Sequence, residues 1–258
     1  MKIAVCGKGG VGKTFIAGTL AGQFAAAGHR VIAIDADSSP NLALTLGLSE
    51  REASGIIPVA ENETLIRLKT GTDYSGVFRL TFTVEDIIRD YAVTTPSGAA
   101  LLVMGTVKAM GSGCTCPAHS VVKALMRHLF VDRGEVVILD MEAGIEHLGR
   151  GTTEHVDTLL VVTDTNAKSR GTAATIIRIA RASSIRDIRL VGNRAIPGRD
   201  ESILRQFAEE NGIPLAATVP YDPLIADAGV SGEPVRAGTP AVSALAVLAR
   251  ELAGGRPA

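Results

Sequence analysis

Short apolar runs rich in Val, Ile and Leu alternate along this chain with longer segments whose apolar residues recur at helical spacing. The short runs are typical of buried strands, and the longer segments indicate amphipathic helices. Regular alternation of the two predicts an α/β fold with a doubly wound, mostly parallel sheet and helices on both faces. The predicted strands lie at 2–6, 31–36, 65–70, 99–103, 135–141, 158–163, 188–193 and 215–219.

Helices are predicted in most of the gaps between these strands. Gly, Pro, Ser and Thr interrupt residues 47–98 repeatedly, so we expect an irregular excursion from the sheet there, not a domain. No repeat or linker divides the chain, and 258 residues suit a single domain over 1–258 with a frayed tail at 254–258. The predicted helices lie at 13–27, 118–131, 169–182, 201–211 and 240–252.

Charge is nearly balanced, with 26 basic against 27 acidic residues. Such a chain lacks a broad field that would attract nucleic acid or an anionic membrane, so neither is expected as a partner. The first residues enter a strand without a charged leader, and no apolar run approaches the ~20 residues of a membrane span. An odd count of three cysteines argues against a disulfide framework. We therefore expect a cytoplasmic protein with reduced thiols.

A glycine-rich loop follows the first predicted strand. Residues 7–14 (GKGGVGKT) satisfy the phosphate-binding pattern G-x-x-x-x-G-K-[ST], with a strand before them and a helix after them. In such a loop the backbone N–H groups surround phosphate oxygens, the lysine reaches the β and γ phosphates, and the hydroxyl binds Mg²⁺. The sequence predicts a P-loop NTPase that hydrolyses ATP to ADP with Mg²⁺, Lys13 being catalytic and Thr14 a Mg²⁺ ligand. The predicted nucleotide contacts here are Gly9, Gly10, Val11, Gly12, Lys13, Thr14 and Phe15.

Carboxylates follow two further strands, at the sheet edge where α/β proteins bind ligands. Asp35 and Asp37 alternate at the end of one strand, so both point the same way; one could hold Mg²⁺ and the other orient the attacking water. Either could instead cap a helix after Pro40. Asp140 ends the apolar run 136–139 and is a candidate Mg²⁺ partner, unless this segment is only a buried strand and turn.

Two cysteines, Cys114 and Cys116, lie on a loop bounded by glycine and proline ahead of a predicted helix. A helix N-terminus favours thiolates and hence metal binding, but two thiolates are half of a tetrahedral site for Zn²⁺ or a related metal. His119 and His128 could complete the site, or a second copy of the chain could do so across a two-fold axis. Ordinary loop cysteines or a reactive thiol pair remain alternatives. Cys6 ends a buried strand and is expected in the core.

With its additional lysine, Lys8, the phosphate loop resembles the deviant Walker A motif of the MinD, ParA, ArsA and nitrogenase iron protein superfamily. The resemblance implies that Lys8 reaches the partner's nucleotide across a homodimer and stabilises charge on the γ phosphate. It identifies residues 35–42 as switch I, with Asp37 in the hydrolytic role, and the residues after Asp140 as switch II. It also implies adenine contacts from Asn193, Arg194 and Pro220, with residues 219–222 forming one wall of the base pocket.

A closer resemblance rests on three motifs together: the phosphate loop, residues 111–117 (GSGCTCP) and residues 140–151 (DMEAGIEHLGRG). They resemble the carbon monoxide dehydrogenase accessory ATPases of the CooC family over nearly the whole chain. That resemblance implies an ATP-hydrolysing homodimer that holds Ni²⁺ or Zn²⁺ on Cys114 and Cys116. The client would be carbon monoxide dehydrogenase, which receives nickel, or the related acetyl-CoA synthase. A spatial regulator like MinD or ParA and an iron–sulfur-bridged reductase like the nitrogenase iron protein remain alternatives.

Overall fold

A computed structural model describes residues 1–37, 39–70, 83–105, 121, 125, 135–141, 156–183, 185–231, 235 and 237–254. Within these residues the strands form one eight-stranded sheet. The strands are β1 (Lys2–Gly7), β2 (Arg30–Ala36), β3 (Val93–Thr94), β4 (Ala100–Val103), β5 (Glu135–Met141), β6 (Thr158–Thr163), β7 (Asp187–Ala195) and β8 (Leu215–Pro220).

The sheet has the spatial order β3-β4-β2-β5-β1-β6-β7-β8, and every neighbouring pair is parallel except β3 with β4. The chain leaves β1 for β2 on one side and later occupies β6 on the other side. A reversal of this kind opens a crevice at the carboxyl ends of the central strands, where doubly wound proteins bind ligands. The predicted doubly wound, mostly parallel architecture is confirmed.

Two apolar clusters cover the two faces of the sheet. Successive residues of β1 alternate between them, since Ile3 and Val5 belong to one cluster and Ala4 and Cys6 to the other. Burying one large aliphatic side chain contributes about 1.5–3 kcal/mol, so both clusters stabilise the sheet substantially. The helices of the described chain are α1 (Lys13–Ala26), α2 (Leu42–Thr45), α3 (Glu50–Ser54), α4 (Glu63–Thr70), α5 (Val84–Tyr91), α6 (Ala167–Arg181), α7 (Asp200–Glu210), α8 (Pro223–Ser231) and α9 (Pro240–Gly254), with a 3-10 turn at Val59–Glu61.

The strand predicted at 65–70 is wrong, because these residues belong to helix α4. The side-chain oxygen of Asn62 accepts a hydrogen bond from the Leu65 N–H at 2.9 Å, which satisfies one of the unpaired donors of the first turn. Leu65 is fully buried whereas Leu68 is 63% exposed. Apolar residues at 65, 66 and 68 suit one face of a short helix as well as a strand, and the asparagine cap decides between them.

Residues 47–98 contain more regular structure than the sequence suggested. Ser49 with Glu52 and Thr83 with Asp86 form capping boxes that begin α3 and α5, so the polar residues that interrupt this stretch include helix starts. Of the helix predicted at 118–131 the structure describes Val121 and Leu125, which are helical and buried. The single-domain organisation stays a prediction.

Helix α9 buries Leu245, Leu248 and Leu252 in the cluster that contains Val5. Among the described helices, none is long and apolar enough to cross a bilayer.

Candidate nucleotide site

The phosphate loop connects the buried strand β1 to helix α1 at the carboxyl edge of the sheet. Gly12 precedes α1 in a left-handed conformation with φ 92°, and a Cβ atom here would lie 2.3 Å from the Asn193 amide nitrogen. Only glycine fits this close approach. Gly9 and Gly10 are exposed, so their backbone is open to a ligand ahead of the helix N-terminus. The loop therefore has the backbone geometry that phosphate binding requires.

Its two lysines lie in different environments. Lys13, at the first position of α1, is only 6% exposed and lies close enough to Cys6 and Asp140 to affect their pKa values. Lys8 is half-buried, and among the described residues no ion pair engages its ammonium group. The position of Lys13 suits contact with a nucleotide bound to the same chain. The ammonium group of Lys8 has no ion-pair partner among the described residues.

Strand register places two aspartates side by side below the loop. Asp35 on β2 is the direct neighbour of Asp140 on β5, and Val5 of β1 flanks Asp140 on the other side. Neighbouring strands lie about 4.8 Å apart, so the two carboxyl groups share one small buried region. Asp35 is 0% exposed and Asp140 is 1% exposed.

Asp140 is a buried carboxyl group without hydrogen-bond partners on either oxygen. Burial, with a smaller contribution from the negative charges of Asp35 and Asp37, raises its pKa to about 7. Thr14 and Lys13 lie near enough to lower the pKa in part, although the Thr14 hydroxyl does not reach hydrogen-bond geometry with the carboxyl oxygens. An unpaired buried carboxyl beside a P-loop hydroxyl has the oxygen donors that Mg²⁺ prefers. Thr14 and Asp140 therefore fit a Mg²⁺ ion, held directly or through water.

Asp35 differs from Asp140, because both of its oxygens accept backbone hydrogen bonds. The Asp37 N–H donates to one oxygen at 3.2 Å, and the Leu42 N–H at the start of α2 donates to the other at 2.9 Å. Burial raises the pKa of Asp35, and these backbone donors counteract the rise. The N-cap position of α2 belongs to Asn41, so neither aspartate is the N-cap residue; Asp35 satisfies the first N–H of the helix from seven residues upstream and holds residues 35–42 in place. A role toward Mg²⁺ through water stays a prediction.

Asp37 lies at the surface of the same segment. Its Oδ1 accepts a hydrogen bond from the Ser39 N–H at 2.9 Å, closing a local turn. Its side chain is half-buried and shares the sheet edge with the phosphate loop. This position is compatible with the predicted hydrolytic role.

Asn193, a predicted adenine contact, is 4% exposed and donates from its side-chain amide to the Val11 carbonyl oxygen at 2.7 Å. The bond ties β7 to the phosphate loop. Arg194 follows with φ 56°, a left-handed conformation, and is exposed. Pro220 at the end of β8 is the register partner of Ala195. The structure therefore brings both predicted adenine segments to the carboxyl edge of the sheet, with Asn193 against the loop and Pro220 on the next strand outward.

Replacing Asn193 with alanine should leave the Val11 carbonyl without its buried partner. We expect the free energy of unfolding in urea to fall by about 1–3 kcal/mol and ATP to bind more weakly. Asn211→Ala is the matched control, because Asn211 also donates its amide to a backbone carbonyl, that of Phe207 at 2.8 Å, on α7. The control should lower stability alone; equal losses of ATP affinity in both variants would contradict a specific role for Asn193.

Some predicted residues lie outside the described part of the chain: Cys114, Cys116, His119, His128 and the predicted switch II residues after Met141. Cys6 lies in the core as predicted, 3% exposed, and burial raises the pKa of its thiol to about 12. In the described residues no group of three or more His, Cys, Asp or Glu could hold a metal ion. The roles of Cys114 and Cys116 stay predictions.

Sequence reasoning missed the structural bonds that position the site. The Asn193 amide and its Val11 acceptor are 182 positions apart, and the Asp35 carboxylate reaches Leu42 across a loop. No local pattern marks either contact. Only the glycine at position 12 carried an indirect signal, since its P-loop pattern implies a close backbone approach.

The phosphate loop follows the central parallel strand β1, and the buried Asp140 lies on the neighbouring strand β5. This arrangement defines a P-loop nucleotide-binding protein. The family model for the CobQ/CobB/MinD/ParA nucleotide binding domain matches residues 2–235. The chain belongs to this family.

Individual relatives are consistent with this membership. The carbon monoxide dehydrogenase accessory protein CooC of Rhodospirillum rubrum is 42% identical over 234 residues, or 90% of this chain and 88% of that protein. An uncharacterized ATP-binding protein of Methanocaldococcus jannaschii is 40% identical over 239 residues, 91% of each chain. A chain of the MinC:MinD cell division complex of Aquifex aeolicus superposes with a TM-score of 0.67 at 21% identity, covering 100% of this chain and 97% of that one, which shows the fold. The CooC-type resemblance is confirmed.

Proposed function

We propose that this protein is a Mg²⁺-dependent ATPase whose cytoplasmic homodimer carries Ni²⁺ or Zn²⁺ and assists nickel insertion into a client metalloenzyme. The relationship to the Rhodospirillum rubrum protein carries the proposal, since that relative is an accessory protein of carbon monoxide dehydrogenase. The client of this chain is then carbon monoxide dehydrogenase, or the related acetyl-CoA synthase. The spatial-regulator alternative has weaker support, since the chain of the MinC:MinD complex is only 21% identical and shows the fold alone. None of the relatives named above points to an iron–sulfur reductase.

The proposed hydrolysis gives each residue of the nucleotide site a role. The loop N–H groups and Lys13 hold the β and γ phosphates, and Asp37 orients the attacking water. Mg²⁺ near Thr14 and Asp140 would neutralise charge on the phosphate oxygens. Lys8 of a second copy would supply the remaining positive charge at the γ phosphate. ATP turnover would then depend on dimerisation.

The cargo metal is assigned to Cys114 and Cys116. Two copies of the pair supply four thiolates, the number that a closed tetrahedral site requires. Lys8 can reach the nucleotide of a second chain only in such a two-fold dimer. One homodimer therefore accounts for both the shared metal site and the action of Lys8. Because thiols must lose protons to bind, metal affinity should rise with pH.

Metal stoichiometry with oligomeric mass tests this assignment. We expect Ni²⁺ or Zn²⁺ to saturate at about one ion per two chains and to promote dimerisation, with or without ATP. Cys114→Ser or Cys116→Ser should abolish both effects and leave ATP binding intact. Measurements are metal titration and light scattering on the same samples.

Cys6→Ala is the matched control, since the buried Cys6 thiol, with its raised pKa, is a poor ligand. It should keep the metal stoichiometry. One ion per chain on a monomer would instead contradict the shared site and indicate His119 or His128 as the completing ligand.

A further inference from the structure

A surface groove lies beside switch I, between helices α2 and α3 and the 3-10 turn at Val59–Glu61. Its volume is about 440 Å³, which falls within the range of about 300–1,000 Å³ that is typical of ligand-binding clefts. The apolar part of its lining consists of Ala43, Leu44, Ala53, Ile56, Pro58 and Val103. An apolar groove of this size can receive aliphatic side chains from a partner.

Hydrogen bonds to Asp35 fix two sides of this groove. The Asp35 carboxylate accepts from the Leu42 N–H at 2.9 Å, which holds the start of α2. The Asp35 carbonyl oxygen accepts from the Met104 N–H at 2.8 Å, directly after the lining residue Val103. Asp35 is 0% exposed, so both bonds are shielded from water. The groove is therefore preformed, and a ligand does not have to order these two sides on binding.

Both charged residues that line the groove are acidic. Glu50 and Glu61 are exposed, and no ion pair within the described part of the chain engages either carboxylate. Ile57 lies between the lining residues Ile56 and Pro58 and is 65% exposed, so a large apolar side chain also stands at the surface there. This surface is complementary to a segment that carries both aliphatic side chains and positive charge.

We propose that the groove is a docking site for a partner protein, which inserts a short segment with aliphatic side chains on one face and Lys or Arg beside them. Glu50 and Glu61 pair with the basic groups, and the apolar lining buries the aliphatic side chains, as when an amphipathic helix binds in a groove. The inference goes beyond the proposed metal-carrying function and requires neither the cysteines nor ATP hydrolysis.

A labelled synthetic peptide tests the chemistry of the groove. Its leucines recur at i, i+3, i+4 and i+7, and lysine occupies its polar positions. Fluorescence anisotropy with the full chain should show saturable binding of about one peptide per chain. Added NaCl should weaken binding, because salt screens exposed charges. The same peptide with glutamate in place of lysine should bind at least about 10-fold more weakly, because like charges then face each other.

Glu50→Gln combined with Glu61→Gln removes both charges from the groove. Affinity for the lysine peptide should fall by about 2- to 30-fold, the range expected for the loss of two exposed ion pairs. Glu209→Gln combined with Glu251→Gln is the matched control, because these exposed residues lie on α7 and α9, which pack on the edge strand β8. The control should bind the peptide like the parent protein, and both double variants should keep ATP turnover.

Ile57→Ser tests the apolar contribution to docking. Affinity for the lysine peptide should fall by about 3- to 30-fold, because a large aliphatic side chain is no longer buried on binding. Leu224→Ser is its control, since Leu224 is 53% exposed on α8, which follows β8. Both side chains are exposed in the free protein, so urea unfolding should show parent-like stability for each variant.

The inference is overturned if the lysine peptide does not bind saturably, or if the lysine and glutamate peptides bind equally. A loss of affinity in the groove variants no larger than in their controls also overturns it. A lower oligomeric mass of the Glu50→Gln and Glu61→Gln protein in light scattering would overturn it as well, because the groove would then hold a second copy of this chain. Parent-like ATP turnover and metal stoichiometry in the same samples would leave the proposed function standing in each case.

Discussion

Lys8→Ala should lower ATP turnover by about 10³- to 10⁵-fold and change ATP affinity little. This effect is expected for a positive charge that interacts with the γ phosphate only in the transition state. Removing such a charge lowers the rate of hydrolysis but leaves ground-state ATP binding unchanged. The structure agrees with this use, because Lys8 is half-buried at the loop without an ion pair among the described residues, whereas Lys13 is buried beside Asp140. Phosphate release and nucleotide titration measure the two quantities.

Mixing two inactive variants distinguishes action across the dimer from action within one chain. Asp37→Ala lacks the proposed water-orienting carboxylate but keeps Lys8, and Lys8→Ala keeps Asp37. In a mixed dimer, a lysine acting across the interface completes the site of the Lys8→Ala chain. Random mixing of equal amounts should then restore about a quarter of the parent turnover, since half of the dimers are mixed and each has one working site.

Lys168→Ala is the control, because Lys168 is an exposed lysine near the carboxyl end of β6 but outside the loop. It should turn over ATP at the parent rate. Parent-like turnover by Lys8→Ala would remove the argument for a lysine acting across the dimer, and no recovery in the mixture would place its action within one chain.

The sheet was predictable because its strands are buried on both faces. In β1 every residue from Lys2 to Gly7 is buried, so the strand appears in the sequence as a short apolar run between a terminus and a glycine turn. The phosphate loop was equally predictable, since its chemistry requires fixed residue types at fixed spacing. Both signals are local in sequence.

Features that depend on distant contacts were not predictable. Residues 65–70 have an apolar pattern that suits both a strand and a helix, and the cap from Asn62 settles the choice. Asp35 and Asp37 look equivalent in sequence, yet Asp35 is fully buried with a backbone donor on each oxygen, whereas Asp37 is half-buried and accepts one backbone hydrogen bond. The number of donors that reach a carboxylate is set by the folded chain, and no spacing rule provides it.

Asp140→Asn should stabilise the protein without Mg²⁺ at neutral to alkaline pH while abolishing its function. The Asp140 pKa is raised from 3.8 to about 7, so the folded state retains a proton that the unfolded state releases over this interval. Stability of the parent therefore falls as pH rises from about 4 to 7, by on the order of 1.4 kcal/mol per pH unit at most. Asparagine cannot ionise and avoids this cost. We expect the variant to gain about 1–4 kcal/mol above pH 7 and nothing below pH 4, measured by urea unfolding without Mg²⁺.

Asp200→Asn provides the opposite sign as a control. Asp200 is also buried, but hydrogen bonds from Arg199 and from the Ile196 N–H lower its pKa. Its ionised form therefore stabilises the folded state above the ordinary carboxyl pKa, and this contribution is lost as pH falls through the lowered value. Asp200→Asn should be less stable than the parent at pH 7 and should keep ATP turnover.

Mg²⁺ binding should offset the free-energy cost of burying the ionised Asp140 carboxylate. A divalent ion beside Thr14 and Asp140 would stabilise the carboxylate, so Mg²⁺ should raise the stability of the parent above pH 7 but not that of Asp140→Asn. Turnover of the variant should fall by at least about 100-fold, because a catalytic metal contributes several kcal/mol to the transition state. Between pH 6 and 8 the Mg²⁺ affinity of the parent should increase with pH, since protons compete for Asp140 below its pKa of about 7. A variant that gained stability and kept Mg²⁺-dependent turnover would show that the unpaired Asp140 carboxyl is structural and that the ion binds elsewhere.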